Sequence, residues 1–113
     1  MESKASQNSK TGAERRQYRR VRAVVQVECQ AMQRTEVLVT RDVSADGMFL
    51  ITHSPFPLDC ELLLTFRLAP QEPAIACGAK VIYSHAGVGM GVRFLGLSAE
   101  TRRILQEFVD GVA

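Results

Sequence analysis

Tryptophan is absent, histidine occurs only twice, and aromatic residues make up 6% of the 113-residue chain. A core built here has to be packed by Val, Ile, Leu and Ala. A surface that reads single-stranded nucleic acid by stacking successive bases on aromatic rings is poorly supplied. Cysteine is also sparse. Cys29, Cys60 and Cys77 are odd in number, widely separated and without a C-x-x-C. A secreted disulfide scaffold or a zinc ribbon needs paired, closely spaced thiols, so these three are expected to be reduced and buried as small hydrophobes. No apolar run approaches the roughly 20 residues of a membrane helix. The polar stretch 1–10 lacks the apolar centre of a signal peptide. A soluble, cytoplasmic chain without membrane contact is expected.

Catalytic signatures are missing as well. There is no P-loop and no H-E-x-x-H. His53 and His85 fall in expected loops, and neither has Cys, Asp or Glu at zinc-like spacing. Ser44 stands between two aspartates, but the sequence places no histidine to act as its base. Gly87, Gly89 and Gly91 lack dinucleotide-binding spacing and read as a tight turn with close strand approach. The chain is therefore expected not to be an enzyme, and to need neither metal nor cofactor.

What is present is regular alternation. Hydrophobic residues are 46% of the chain, enough for one modest core in one domain. Val21, Ala23, Val25, Val27 and Cys29 share one face of a half-buried strand. Val37, Val39 and Val43 mark a second, which ends in the turn-rich segment Asp42–Gly47. Met48–Ile51 is a short third strand, and His53–Asp59, with two prolines, is a loop. Leu62, Leu64, Phe66 and Leu68 alternate in a fourth strand. Ile75, Cys77, Ala79, Val81 and Tyr83 form a fifth. Ser84–Gly89 reads as a hairpin turn into a sixth, Met90–Phe94. The period then changes. Ser98 is a candidate N-cap, Ile104, Leu105, Phe108 and Val109 share a helical face, and Gly111 suits the end. The fold class is all-β: six short antiparallel strands in a barrel or sandwich, closed by one C-terminal helix. Residues 1–13 are too polar to fold alone and are expected to be a disordered tail. Residues 14–113 form the domain.

Charge is unevenly distributed. Residues 1–22 hold seven of the 14 Lys and Arg against two of the 12 Asp and Glu, so a basic arm precedes a mildly acidic body. Every basic residue between Glu14 and Arg22 is Arg. A guanidinium offers five donors in a planar fork, which fits phosphate oxygens and the O6/N7 edge of guanine, where Lys supplies only a point charge. Arg16 and Arg20 stand as R-x-x-x-R. Asp42, Ser44 and Gly47 stand as D-x-S-x-x-G. Taken alone, the second motif reads as a strand-ending turn. Its carboxylate could equally accept from guanine N1–H and N2–H.

In this order and context the two motifs resemble those of the PilZ domain family, bacterial receptors for cyclic di-GMP. The resemblance runs from about Glu14 to Val112 and includes Gly47–Leu50, Gly89–Phe94 and the closing helix. It implies a six-stranded antiparallel barrel with a flexible N-terminal arm and a C-terminal helix. It implies that Arg16 and Arg20 hold phosphates and guanine edges, that Asp42 and Ser44 read a guanine, and that Gly47 shapes the loop. Arg15 directly precedes the first motif. In this family a basic residue there tends to accompany a stacked pair of ligands, so two cyclic di-GMP molecules per chain are expected. The output is altered contact with an unidentified effector protein, from a domain expected to be monomeric. Two rivals remain: an adaptor that ignores nucleotides, and a nucleic-acid-binding small barrel. The acidic body and scarce aromatics weigh against the second.

Overall fold

The computed structural model describes residues 18–112. The expected tail, together with Arg15 and Arg16, lies outside the described residues. The strands are β1 (Val21–Arg22), β2 (Gln26–Ala31), β3 (Arg34–Val43), β4 (Gly47–Ile51), β5 (Glu61–Phe66), β6 (Ile75–His85) and β7 (Gly89–Leu95), followed by helix α1 (Ala99–Gly111). All pairings are antiparallel, and they close a circle in the order β3, β2, β5, β6, β7, β4 and back to β3. The short β1 extends the wall by pairing Val21 with Val43 and Arg22 with Asp42. The fold is the expected six-stranded barrel with one additional short strand. Closure leaves no long sheet edge unpaired.

The first expected strand is split. Its alternation survives, with Val21, Val25, Val27 and Cys29 all buried, but residues 23–25 leave the ladder. Thr40, buried on β3, bridges the gap with its hydroxyl. The Val25 N–H donates to it at 2.9 Å, and it donates to the Ala23 carbonyl at 2.6 Å. A buried hydroxyl thus satisfies backbone groups that the broken ladder would strand. The hairpin between β2 and β3 turns at Met32 and Gln33, both with positive φ, the geometry a two-residue hairpin favours. On β3 the exposed valines Val37 and Val39 face outward, while Leu38 and Thr40 face inward. His85 ends β6 instead of lying in a loop, so the hairpin expected at Ser84–Gly89 is shorter, with only residues 86–88 between strands.

The core gathers Val27, Cys29, Leu50, Leu64, Val81 and Met90 from the barrel with Leu105 from the helix. Phe56, in the proline-bearing loop before β5, is buried as well, and the Arg34 guanidinium sits 4.1 Å from its ring centroid. The helix starts as expected: the Ser98 side chain accepts from the Thr101 N–H at 3.1 Å. Leu105 and Val109 face the barrel, and Glu100, Arg103 and Glu107 pair on the outer side. Among the described residues, no helix is long and apolar enough to cross a membrane.

All three cysteines are free thiols; Cys29 is buried, and Cys60 and Cys77 are only partly so. Burial, helped by Glu36 and Glu28, pushes the Cys29 thiol up to about 12. Burial likewise pushes the Cys77 thiol up to about 11. The native protein therefore keeps protons that the unfolded chain releases near 9.0, and stability declines as pH rises above that value. Iodoacetamide at pH 8 is expected to leave Cys29 unmodified in native protein and to label it in urea, as read by peptide mass. Equal labelling in both would contradict the burial.

Candidate functional site

One residue too many in β3 creates the site. Thr40 pairs with Leu50 and Asp42 pairs with Phe49, so Arg41 is unmatched and forms a bulge. Side chains normally alternate between faces of a strand. The bulge breaks that rule, and Arg41 and Asp42 both face outward while Thr40 and Val43 stay in the core. Asp42 then receives a guanidinium on each oxygen. Arg20 Nε donates to Oδ1 at 3.0 Å, and Arg41 Nε donates to Oδ2 at 3.0 Å. The Asp42 side chain is 14% exposed, while those of Arg20 and Arg41 are 44% and 46% exposed. The Arg20 guanidinium is open to water, and an exposed ion pair is worth about 0–1 kcal/mol, so an anionic ligand can compete for it. Two residues before Arg20, the partly buried ring of Tyr18 packs against the core, with Arg102 5.7 Å from its centroid. Arg19 and Arg22 are exposed.

The turn after Asp42 is built around Ser44. Its hydroxyl donates to Asp46 Oδ1 at 2.6 Å and accepts from the N–H groups of Asp46 and Gly47 at 3.2 and 3.1 Å. Ser44 is fully buried, so the hydroxyl serves the loop and faces no solvent. Gly47 does not adopt positive φ. It is needed for close approach: opposite Arg93 on β7, a Cβ at this position would overlap the Val92 carbonyl oxygen. The structure thus brings Arg20 and Asp42 together on the outer face and leaves Ser44 and Gly47 beneath as the frame of the loop.

An aromatic floor adjoins this cluster, and the sequence reading did not identify it. Phe49 lies over Gly89, where a Cβ would come 2.6 Å from the ring, and Tyr83 lies over Gly91, where a Cβ would overlap the ring. The two rings stack with centroids 6.0 Å apart, and His85 tilts against Tyr83 at 5.6 Å. A second bulge, between Val81 and Tyr83, leaves both Ile82 and Tyr83 exposed. The available signal was Gly89 and Gly91 at alternate positions of one strand, which empties a stripe of its outer face. Among the described residues, no three of His, Cys, Asp and Glu come together as a metal site.

The PilZ domain profile matches residues 14–111, nearly the whole chain. The chain belongs to the PilZ domain family. Solved PilZ structures share its fold. The Bacillus subtilis inhibitor of motility MotI (DgrA) superposes with a TM-score of 0.76 at 21% identity, over 84% of this chain and 49% of that one. This chain thus spans about half the length of that protein. The PilZ domain of Escherichia coli YcgR with c-di-GMP gives 0.70 at 17% identity, over 85% and 89%. The Borreliella burgdorferi PlzA protein in complex with c-di-GMP gives 0.68 at 13%, over 93% and 45%. No curated protein matches the sequence.

Gly47→Ala is expected to destabilise this PilZ domain by roughly 1–3 kcal/mol through overpacking against β7, whereas Gly87→Ala meets nothing within 4 Å and costs only the strain of its positive φ. Urea unfolding of both variants measures this. A Gly47→Ala variant as stable as the unmodified domain would show that the β4–β7 approach is looser than described.

Proposed function

We propose that this PilZ domain is a receptor for cyclic di-GMP that carries out no catalysis and signals by changing its contacts with an effector protein. The observation that carries the reading is the convergence of its two motifs. Arg20, from the arm, meets Asp42, from the barrel, at 3.0 Å on an open outer surface. The c-di-GMP complexes of YcgR and PlzA, which share the fold, support the choice of ligand.

The roles follow from the chemistry. Arg16 and Arg20 hold phosphates and guanine edges, for which the guanidinium fork is suited. Asp42 accepts from guanine N1–H and N2–H. Ser44 and Gly47 act through the loop they build, since the Ser44 hydroxyl is already spent on that loop. Arg15 serves the second molecule of a stacked ligand pair. Tyr83, stacked on the buried Phe49, offers an exposed aromatic surface beside the cluster. Docking of Arg16 and Arg20 on the ligand orders the arm, and that is the change an effector reads.

Calorimetric titration tests these assignments. The unmodified chain is expected to bind cyclic di-GMP selectively over GMP and oligonucleotides. Arg16→Ala and Arg20→Ala should each weaken binding about tenfold or more, because hydrogen bonds to charged groups contribute roughly 1.5–3 kcal/mol. Unchanged affinity in both would overturn the assignment. Asp42→Ala should reduce the preference for cyclic di-GMP over cyclic di-AMP. A preference that survives intact would remove Asp42 from guanine recognition.

The stoichiometry is a separate expectation. Two ligands should bind per unmodified chain, and Arg15→Leu should lower that towards one while the protein stays folded. A single ligand on the unmodified chain would refute the paired mode and leave the receptor reading standing.

A further inference from the structure

Arg41 belongs to neither motif, yet it is the better-anchored of the two cations on Asp42. The bulge turns it outward. Its guanidinium carbon lies 3.9 Å from the Phe49 ring centroid, and Phe49 is itself almost fully buried over Gly89. A guanidinium resting on an aromatic face keeps its plane and gives up little freedom when it makes a hydrogen bond. From that seat Arg41 Nε donates to Asp42 Oδ2 at 3.0 Å. Arg20 reaches the same carboxylate from the arm, outside the barrel strands.

The two arginines therefore stand in different positions towards a ligand. Arg20 gives Asp42 only its Nε, so its terminal N–H groups are open to phosphate, and a ligand that draws the whole guanidinium over vacates Oδ1. Asp42, with only 14% of its side chain exposed, would then be left as a largely desolvated carboxylate, which is unfavourable without a partner. Arg41 removes that difficulty, because its contacts to Phe49 and Oδ2 are made from the barrel and do not involve the arm. A carboxylate has about four lone-pair sites. With one taken by Arg41 and the Arg20 site vacated, both oxygens keep a free site for the paired N–H donors of a guanine edge.

We propose that Arg41, seated on Phe49, is a positioning residue for guanine specificity: it holds Asp42 oriented and charge-compensated so that Arg20 can transfer to the ligand. This rests on the cyclic di-GMP reading above. Arg41 acts through Asp42 and is not assigned a contact with the ligand. Lysine would keep the charge, but it has neither the flat face for Phe49 nor the fixed Nε donor.

The test is a double-mutant cycle with two ligands, cyclic di-GMP and its hypoxanthine analogue, which lacks the N2 amino group. Arg41→Met keeps an apolar stem over Phe49 and removes both charge and donor. It is expected to weaken cyclic di-GMP binding by about tenfold, the low end of what loss of a hydrogen bond to a charged group implies, and to weaken the hypoxanthine analogue less. The guanine preference then shrinks towards that of Asp42→Ala. Arg41→Lys should restore part of it. In the Asp42→Ala background, Arg41→Met should have no further effect, since the residue it acts through is gone. An equal loss in both backgrounds, or an unchanged preference in Arg41→Met, overturns the proposal. If Asp42→Ala binds too weakly for the cycle, the preference ratio of Arg41→Met against the unmodified chain decides alone. Urea unfolding confirms that each variant is folded. Failure of the unmodified chain to bind cyclic di-GMP is a different result, and it overturns the receptor reading itself.

Discussion

The site depends on one backbone irregularity. In a regular strand, Asp42 would have to point the same way as Thr40, into an apolar core, or Val43 would be driven out to solvent. A carboxylate buried without partners is strongly unfavourable, and exposing Val43 would forfeit the burial of a whole side chain. The extra residue in β3 resolves the conflict. It lets Thr40 and Val43 both pack inward while Arg41 and Asp42 both face out. On its other side β3 meets a second irregularity: between the pairs Arg22–Asp42 and Gln26–Val39 the ladder is interrupted at residues 23–25, and the Thr40 hydroxyl bridges that gap.

The second bulge, on β6, repeats the device across the barrel wall. There it turns out Tyr83, next to the glycine stripe of β7. Between the two bulges lie β4 and β7, whose outer faces carry Gly47, Phe49, Gly89 and Gly91 in the middle, with Arg93 opposite Gly47 and Ile51 opposite Gly89 at the ends. Missing side chains make a shallow bed, aromatic rings lie flat in it, and Arg41 rests on the nearer ring. Rigidity below is combined with weak attachment above. The loop under Asp42 is held by a fully buried hydroxyl, whereas the two guanidiniums on top are exposed.

Much of this was legible in the chain. Alternation located the strands because one face of each is buried, and the change of period located α1 together with its Ser98 cap. The two motifs could be read because Asp, Ser, Gly and Arg have chemistry that survives translation into any fold. Other features could not be read, for identifiable reasons. The hairpin at Met32–Gln33 carries none of the Asn or Gly that usually signal positive φ. Phe56, in a proline-bearing loop, gave no periodic signal, yet it is buried in the core. Val37, Val39 and Val43 marked a strand, and only Val43 is buried, since β-branched residues suit either face of a strand. Gly47 was read as a turn residue and is needed for the passage of β7.

The amino-acid sequence by itself determined the element types, the single core, the basic arm and the residue chemistry of the two motifs. Each of these rests on local periodicity or on the side chain's own functional groups. Tertiary structure decided what meets what. That Arg20 reaches Asp42, that Arg41 stands beside it over Phe49, and that Ser44 is consumed within its own loop all follow from strand register and from a single unmatched residue. Register is a property of two strands packed together: a one-residue shift reverses every face, and neither strand carries that information alone.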